Sequence, residues 1–152
     1  MAYTTINKST DHFNTVLYTG NGTDNRAVTG VGFQPDWLWI KDRSSAFSHA
    51  LFDVIRGSSK MLASSSTDAE QTNASSGGLT SFDADGFTTD AGSGGNPYRN
   101  TNQNGDNYVS WNWKAGGSGS SNTDGSITST VSANTTAGFS IVSYTGTGAN
   151  AT

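Results

Sequence analysis

The sequence contains no cysteine, one glutamate and two histidines. The absence of cysteine excludes a disulfide scaffold and thiolate-bound zinc. His12 and His49 form no His-x-x-x-His pair, and the Gly-x-Ser-x-Gly motif of serine hydrolases does not occur. A glycosidase of the paired-carboxylate type would have to use aspartates, for which the candidates are Asp53, Asp83, Asp85 and Asp106. The sequence therefore predicts a protein that is not an enzyme.

Charge is also scarce, since charged residues make up 13% of the chain and the net charge is −4. The eight basic residues are scattered singly and form no patch that could neutralise phosphates, so nucleic acid is not an expected partner. No apolar run approaches the length of a membrane span, and residues 1–10 lack the apolar core of a signal peptide. We therefore expect no membrane contact. If the protein works outside a cell, we expect it to be released by assembly or lysis rather than by ordinary secretion.

Ser, Thr, Asn and Gly instead make up half of the chain. Leu, Ile, Val and Phe are few, which alone would indicate disorder, but the low net charge and an aromatic content of 11% argue against it. This composition is typical of short strands joined by many turns. The alternative that the composition leaves open is a partly disordered linker protein.

Strand-like segments recur along the chain, separated by clusters of Gly, Asn, Asp and Ser, and no segment has a sustained helical period. These segments predict an all-β protein with an antiparallel β-sandwich or jelly roll. The predicted strands are Phe13–Tyr18, Asp36–Lys41, His49–Asp53, Lys60–Ala63, Leu79–Phe82, Gly86–Thr89, Tyr108–Lys114, Ser126–Val131 and Phe139–Tyr144.

A Gly/Ser-rich stretch, Ala115–Thr123, has the composition of a flexible spacer. Beyond it, at a constant offset of 126 residues, the sequence repeats the pattern of the first predicted strand and its turn. The matching residues are Phe13, Val16, Tyr18, Thr19, Gly20 and Gly22 with Phe139, Val142, Tyr144, Thr145, Gly146 and Gly148. Thr and Gly matches are common by chance in such a chain, whereas Phe, Val and Tyr in one register are not.

The repeat predicts a tandem array of whole domains, of which this chain carries the first unit and a truncated second one. The predicted division is a docking segment at 1–10, a β-sandwich at 11–115, a Gly/Ser linker at 116–125 and the start of a second repeat at 126–152.

Two Trp-x-Trp pairs, Trp37 with Trp39 and Trp111 with Trp113, are the first candidate site. Residues two apart share one face of a strand, so each pair forms an aromatic ledge. In one interpretation the indoles are core, because the chain is poor in aliphatic residues. In the other they stack against sugar rings, together with Tyr98.

Asp83 and Asp85 are the second candidate, as a weak calcium site, because two carboxylates before Gly86 resemble the opening of a calcium loop. The glutamate that such a loop needs later is missing. The alternative is a hairpin turn between two strands, since Asp-Gly tolerates the required backbone conformation. No other metal or cofactor is expected.

Several stretches resemble a domain of unknown function that recurs in virion structural proteins of marine tailed phages. Five motifs carry the resemblance: Met-Ala-Tyr-Thr-Thr-Ile at residues 1–6, Phe33–Arg43, His49–Gly57, Ser81–Phe87 and Tyr108–Gly117. The resemblance implies a concanavalin-type sandwich in a fibre-like or appendage protein, and it implies no catalytic residues.

The expectation is therefore a structural or adhesive virion protein, such as a tail-fibre or capsid-decoration subunit. Its expected partners are other virion proteins, further copies of itself (a trimer is the guess), and a glycan of the host surface. The alternatives are a lectin-like glycan-binding module and a depolymerase of surface polysaccharide.

Overall fold

The computed structural model describes residues 6–72, 78–91 and 99–151. Within these residues the fold is mostly β, with a 3-10 turn at Ser9–Asp11 and one short helix, α1, at Arg99–Asn102. The strands are β1 Phe13–Thr19, β2 Arg26–Thr29, β3 Trp37–Asp42, β4 Ala50–Asp53, β5 Lys60–Ala63, β6 Gln71–Thr72, β7 Gly78–Asp83, β8 Gly86–Asp90, β9 Asn107–Trp113, β10 Ser120–Asn122, β11 Ser129–Asn134 and β12 Phe139–Tyr144.

The strands form three antiparallel sheets. The large sheet has the order β1-β9-β3-β4-β5-β6, and a second sheet has the order β2-β8-β7. The third sheet has the order β10-β11-β12. All strand pairs are antiparallel, which is consistent with the predicted β-sandwich.

The core lies between the large sheet and the second sheet. Alternate residues of β3, Leu38 and Ile40, are fully buried there, as period-two patterning requires. The ring of Tyr18 on β1 stacks on Tyr108 of β9 at 5.1 Å and meets Phe87 of β8 edge-on at 6.0 Å. Aromatic residues thus fill an interior for which the chain has few aliphatic ones.

The hairpin between β7 and β8 confirms the predicted Asp-Gly turn. Gly86 has a φ of +151°, and a Cβ at this position would lie 2.0 Å from the carbonyl oxygen of Val28. Glycine is therefore required where the turn crosses β2.

The third sheet lies within the part of the chain predicted as linker and second repeat. Strand β10 falls inside the predicted 116–125 linker, and β11 starts three residues later than the predicted strand at Ser126–Val131. The Gly116 amide donates to Ser132 Oγ at 2.9 Å, and Asn134 Nδ2 donates to the Lys114 carbonyl at 3.1 Å. These bonds attach the third sheet to the end of β9.

Three strands were not predicted, namely β2, β6 and β10. They have four, two and three residues, which is too short for an alternating pattern to stand out from the flanking turn residues. Among the described residues, no helix is long and apolar enough to cross a lipid bilayer.

Candidate functional site

Four tryptophans form one surface, the tryptophan ledge, on the face of the large sheet opposite the core. The register of β3 and β9 places Trp37 opposite Trp113 and Trp39 opposite Trp111. The ring centroids of Trp37 and Trp113 are 4.5 Å apart, and those of Trp39 and Trp111 are 5.1 Å apart. The sequence pairs are therefore brought together into one array of four indoles.

The four indoles are half-buried, so the ledge is neither a closed core nor a fully exposed platform. Two phenylalanines pack against the Trp113 end of the ledge. Phe13 of β1 lies 4.6 Å from Trp113, and Phe139 of β12 lies 6.2 Å from the same ring. The sequence-repeat counterparts Phe13 and Phe139 thus contact the same indole.

At the other end of the ledge, Trp39 is held by His49. Trp39 Nε1 donates to His49 Nδ1 at 3.1 Å, which requires Nδ1 to be unprotonated. Burial, together with the nearby charge of Lys41, lowers the pKa of His49 and favours that neutral ring. From the sequence, His49 was considered only as a possible metal ligand, and the lack of a His-x-x-x-His pair argued against that role. Its hydrogen bond to an indole was not predicted.

An open groove of about 350 Å³ runs between the ledge and β12. Its apolar lining includes Trp37, Leu51, Leu62, Ile141 and Tyr144. Its lining is mostly apolar and includes the charged residues Asp53 and Arg56, a combination that is common in ligand pockets.

A charged cluster lies at one end of this groove. Arg56 Nε donates to Asp53 Oδ2 at 2.5 Å, and Arg56 Nη1 donates to Glu70 Oε2 at 3.2 Å. Asp53 Oδ1 also accepts the backbone amides of Ile55 and Arg56 at 3.1 and 2.9 Å. Asp53, one of the candidate glycosidase carboxylates, is thus engaged in holding the turn that follows β4.

The calcium candidates hold loops. Asp83 accepts hydrogen bonds from Ser81 Oγ and Thr88 Oγ1, both at 2.7 Å. Asp85 accepts the backbone amides of Gly30 and Gly32 at 3.1 and 2.6 Å. Among the described residues, no group of three His, Cys, Asp or Glu side chains is placed to hold a metal ion.

The two remaining predicted residues are Tyr98 and Asp106. Tyr98 lies outside the described residues. Asp106 directly precedes β9, and its carboxylate accepts a hydrogen bond from Ser45 Oγ at 3.5 Å. The backbone amide of the same Ser45 donates to Asp42 Oδ1 at 3.1 Å.

Asp42 was not predicted to be special, although it is buried. Burial and then the neighbouring Asp106 carboxylate raise its pKa, and its Oδ2 accepts no hydrogen bond from the described residues. The signal that could have identified it is its parity on β3, where it follows Leu38 and Ile40 on the core face.

Residues 8–152 match a family described as DUF7483, a domain of unknown function. No curated protein matches this chain, and no solved structure does.

Proposed function

We propose, from the premise that the chain belongs to the DUF7483 family, that it is a structural module of a tailed-phage virion appendage. A tail fibre or a capsid-decoration protein is the setting that the sequence motifs favour. The part of the chain before the Gly/Ser stretch forms a sandwich, which we call the first unit. Strand β12 belongs to the next unit. The sandwich is taken to have concanavalin-type or jelly-roll topology.

One observation carries this proposal. The residues that make β1 the first strand of the sandwich recur in β12, which belongs to a different sheet. A chain that begins its domain pattern again after one complete sandwich is organised as beads of whole domains. Such arrays extend a binding or anchoring surface away from a particle.

Residues 1–10 are proposed to dock the module on the particle, and the assembled form is proposed to be a homo-oligomer, with a trimer as the specific guess. The experiment is immuno-gold electron microscopy of phage particles that encode this chain, with antibodies against residues 11–115. Label on tails, fibres or capsids is expected. Label found only in the soluble fraction of lysed cells would contradict the proposal.

A deletion of residues 1–10 tests the docking segment separately. We expect the truncated protein to fold, because residues 6–10, the part of this segment that the structure describes, lie outside the strands. We expect it to be lost from purified particles. Full incorporation of the truncated protein would contradict the docking role and leave the structural role intact.

A second candidate function is binding of a host-surface glycan by the tryptophan ledge. The half-buried pair Trp39 and Trp111 favours it, because two neighbouring indoles, tilted by 47° to each other, leave apolar ring surface partly exposed for sugar rings. The adjoining groove with its charged end offers a place for further hydroxyl groups.

The test is titration of the chain with oligosaccharides from host cell surfaces, followed by tryptophan fluorescence. Trp111→Ala is expected to weaken binding at least about tenfold. Leu17→Ala is the matched control. Leu17 is exposed, lies on the same face of β1 as Phe13, and is not part of the ledge. Equal binding by both variants, or silence of the unaltered chain towards all glycans, would contradict this candidate.

A further inference from the structure

We propose that β12 is the first strand of a second sandwich, and that the β9-like strand of a following unit of the same family pairs with its free edge. This inference rests on the proposed function, because it names the contact through which successive modules join. The occupant is another DUF7483 unit that follows on the same polypeptide.

The side chains of β12 provide the first argument. On β1, Val16 packs against the core and Tyr18, which is 9% exposed, stacks on Tyr108. Their counterparts on β12, Val142 and Tyr144, are 51% and 66% exposed. The same pattern is therefore covered in one strand and uncovered in the other.

The backbone of β1 shows which edge a partner strand uses. The carbonyl oxygens of Asn14 and Val16 point to β9, because they accept hydrogen bonds from Asn112 Nδ2 at 3.0 Å and from Ser110 Oγ at 3.4 Å. The amide of Thr15 points away from β9 and donates to the side chain of Asn14 at 2.9 Å. The residues that face the core are thus also the residues whose backbone groups face β9.

In the third sheet, the orientation of β11 follows from two close approaches. A Cβ on Gly116 would lie 2.4 Å from the carbonyl oxygen of Ala133, and a Cβ on Gly119 would lie 2.9 Å from that of Val131. These carbonyls therefore point towards the Gly/Ser segment and away from β12. Successive residues of a strand direct their backbone amides and carbonyls to opposite edges. The backbone groups of Ser132 and Asn134 therefore point to β12.

The register then fixes the orientation of β12. Ser132 and Asn134 on β11 lie opposite Ile141 and Phe139. These residues of β12 use their backbone groups to pair with β11. The intervening residues, including Val142, point their backbone amides and carbonyls to the other edge, which has no partner strand among the described residues.

The same residues form the unpaired edge and the uncovered face of β12. Val142 and Tyr144 have both an uncovered side chain and outward-facing backbone groups, and their counterparts Val16 and Tyr18 direct the same groups to the core and to β9. In the register of β1 with β9, a following unit would place a tyrosine opposite Tyr144, as Tyr108 lies opposite Tyr18. The uncovered face already borders an open groove of about 450 Å³, whose lining includes Ile127, Val131 and both exposed residues.

A glycine provides an independent argument. At Gly20 a Cβ would lie 2.1 Å from the carbonyl oxygen of Gln103, so the loop before β9 requires glycine there. Its counterpart Gly146 has no atom within 4 Å of such a Cβ, and its φ is outside the left-handed region. The described structure gives no steric reason for glycine at 146, whereas the corresponding loop of a following unit would supply one.

The experiment uses the full chain with a partial second unit fused to its end. At the offset of 126, the counterpart of Ala27 directly follows Thr152, so residues 27–115 are appended there. The appended part has no β1 of its own and can complete a sandwich only by using β12. We expect it to fold, and the amides of Val142 and Tyr144 to exchange at least about 100-fold more slowly than in the chain alone.

The matched control is the same fusion with Val142→Asp and Tyr144→Asp. Both side chains are exposed in the chain alone, so the first sandwich should fold as before while the appended part stays unfolded. Three outcomes would overturn the inference: an unfolded appended part in the unsubstituted fusion, folding without protection of β12, or folding of the control. Protection of β12 by self-association of the chain alone would overturn it as well, in favour of a second copy as occupant.

A second fusion separates this inference from the proposed function. It appends residues 8–115, the proposed first sandwich with its own β1, after Thr152. If that unit folds while the amides of β12 still exchange freely, the strand is not shared between units, but a modular array remains in place. Absence of the protein from particles, by contrast, would overturn the proposed function and leave the strand pairing measurable in the fusions.

Discussion

Strands β1 and β12 carry the same spaced apolar residues in different surroundings. Tyr18 of β1 is enclosed by aromatic rings, and burial raises its pKa well above the usual range of a phenol. Tyr144 of β12 is mostly exposed. The pattern of apolar residues within a strand therefore specifies which face is to be buried. The residues that bury that face come from strands far away in the sequence.

The two strands also share a neighbour. Phe13 and Phe139 both contact Trp113, so the tryptophan face of the large sheet receives the first residue of each repeat. The opposite faces of the two strands differ, since β1 meets the second sheet and β12 meets none among the described residues. This difference in cover can be tested by paired substitutions at equivalent positions.

The largest expected difference is between Tyr18→Ala and Tyr144→Ala. The first removes a buried ring and the hydrogen bond from its hydroxyl to the Thr101 carbonyl at 2.7 Å, and should lower the free energy of unfolding by about 3–5 kcal/mol. The second should change it by about 0.5 kcal/mol or less. Urea unfolding measures both, and equal losses would contradict the difference in cover.

A smaller difference is expected between Gly20→Ala and Gly146→Ala. The added methyl group at 20 must displace the Gln103 carbonyl, which should cost about 1–3 kcal/mol of unfolding free energy. At 146 the space is open and the expected change is within about 0.5 kcal/mol. If Gly146→Ala destabilises the chain as much as Gly20→Ala, then Gly146 already has a close neighbour.

The smallest expected effect is the pH dependence of the unfolding free energy that Asp42 causes in the first sandwich. Because the pKa of Asp42 is raised in the folded state, folding is favoured below the unfolded value and loses stability as pH rises through the folded one. Asp42→Asn should remove this loss and stabilise the protein at neutral pH by about 1 kcal/mol, since a buried acceptor without a donor is replaced.

Thermal unfolding of both proteins between pH 3 and pH 8 measures that effect. Asp11→Asn is the control, because Asp11 is exposed and its ion pair with Lys8 lowers its pKa, so its contribution has the opposite sign. A variant at position 42 that shows the same pH profile as the unaltered chain would contradict this account of Asp42.

The sequence predicted the strands that have long alternating patterns, and it predicted the shared face of each tryptophan pair. Period-two parity is local, so Trp37 and Trp39 had to share a face wherever β3 lay. The register that sets Trp37 against Trp113 is not local, because it depends on how residues more than 70 positions apart pair. The fourfold ledge could therefore not be predicted from either pair alone.

The Gly/Ser stretch shows the opposite case. Its composition is typical of a flexible spacer, yet Ser120–Asn122 pairs with β11, because a neighbouring strand can satisfy the backbone of any residue except proline. The repeat could be recognised in the sequence, but the exposure of its apolar residues on β12 could not be predicted from it. Whether 1–10, 11–115, 116–125 and 126–152 act as separate parts remains a prediction.

The most direct test of the central claim is a high-resolution cryo-electron microscopy structure of the native assembly that contains this chain. The claim predicts a strand antiparallel to the free edge of β12, with an aromatic ring stacked on Tyr144 as Tyr108 is stacked on Tyr18. A map in which that edge faces solvent, or in which an unrelated protein covers Val142 and Tyr144, would contradict it.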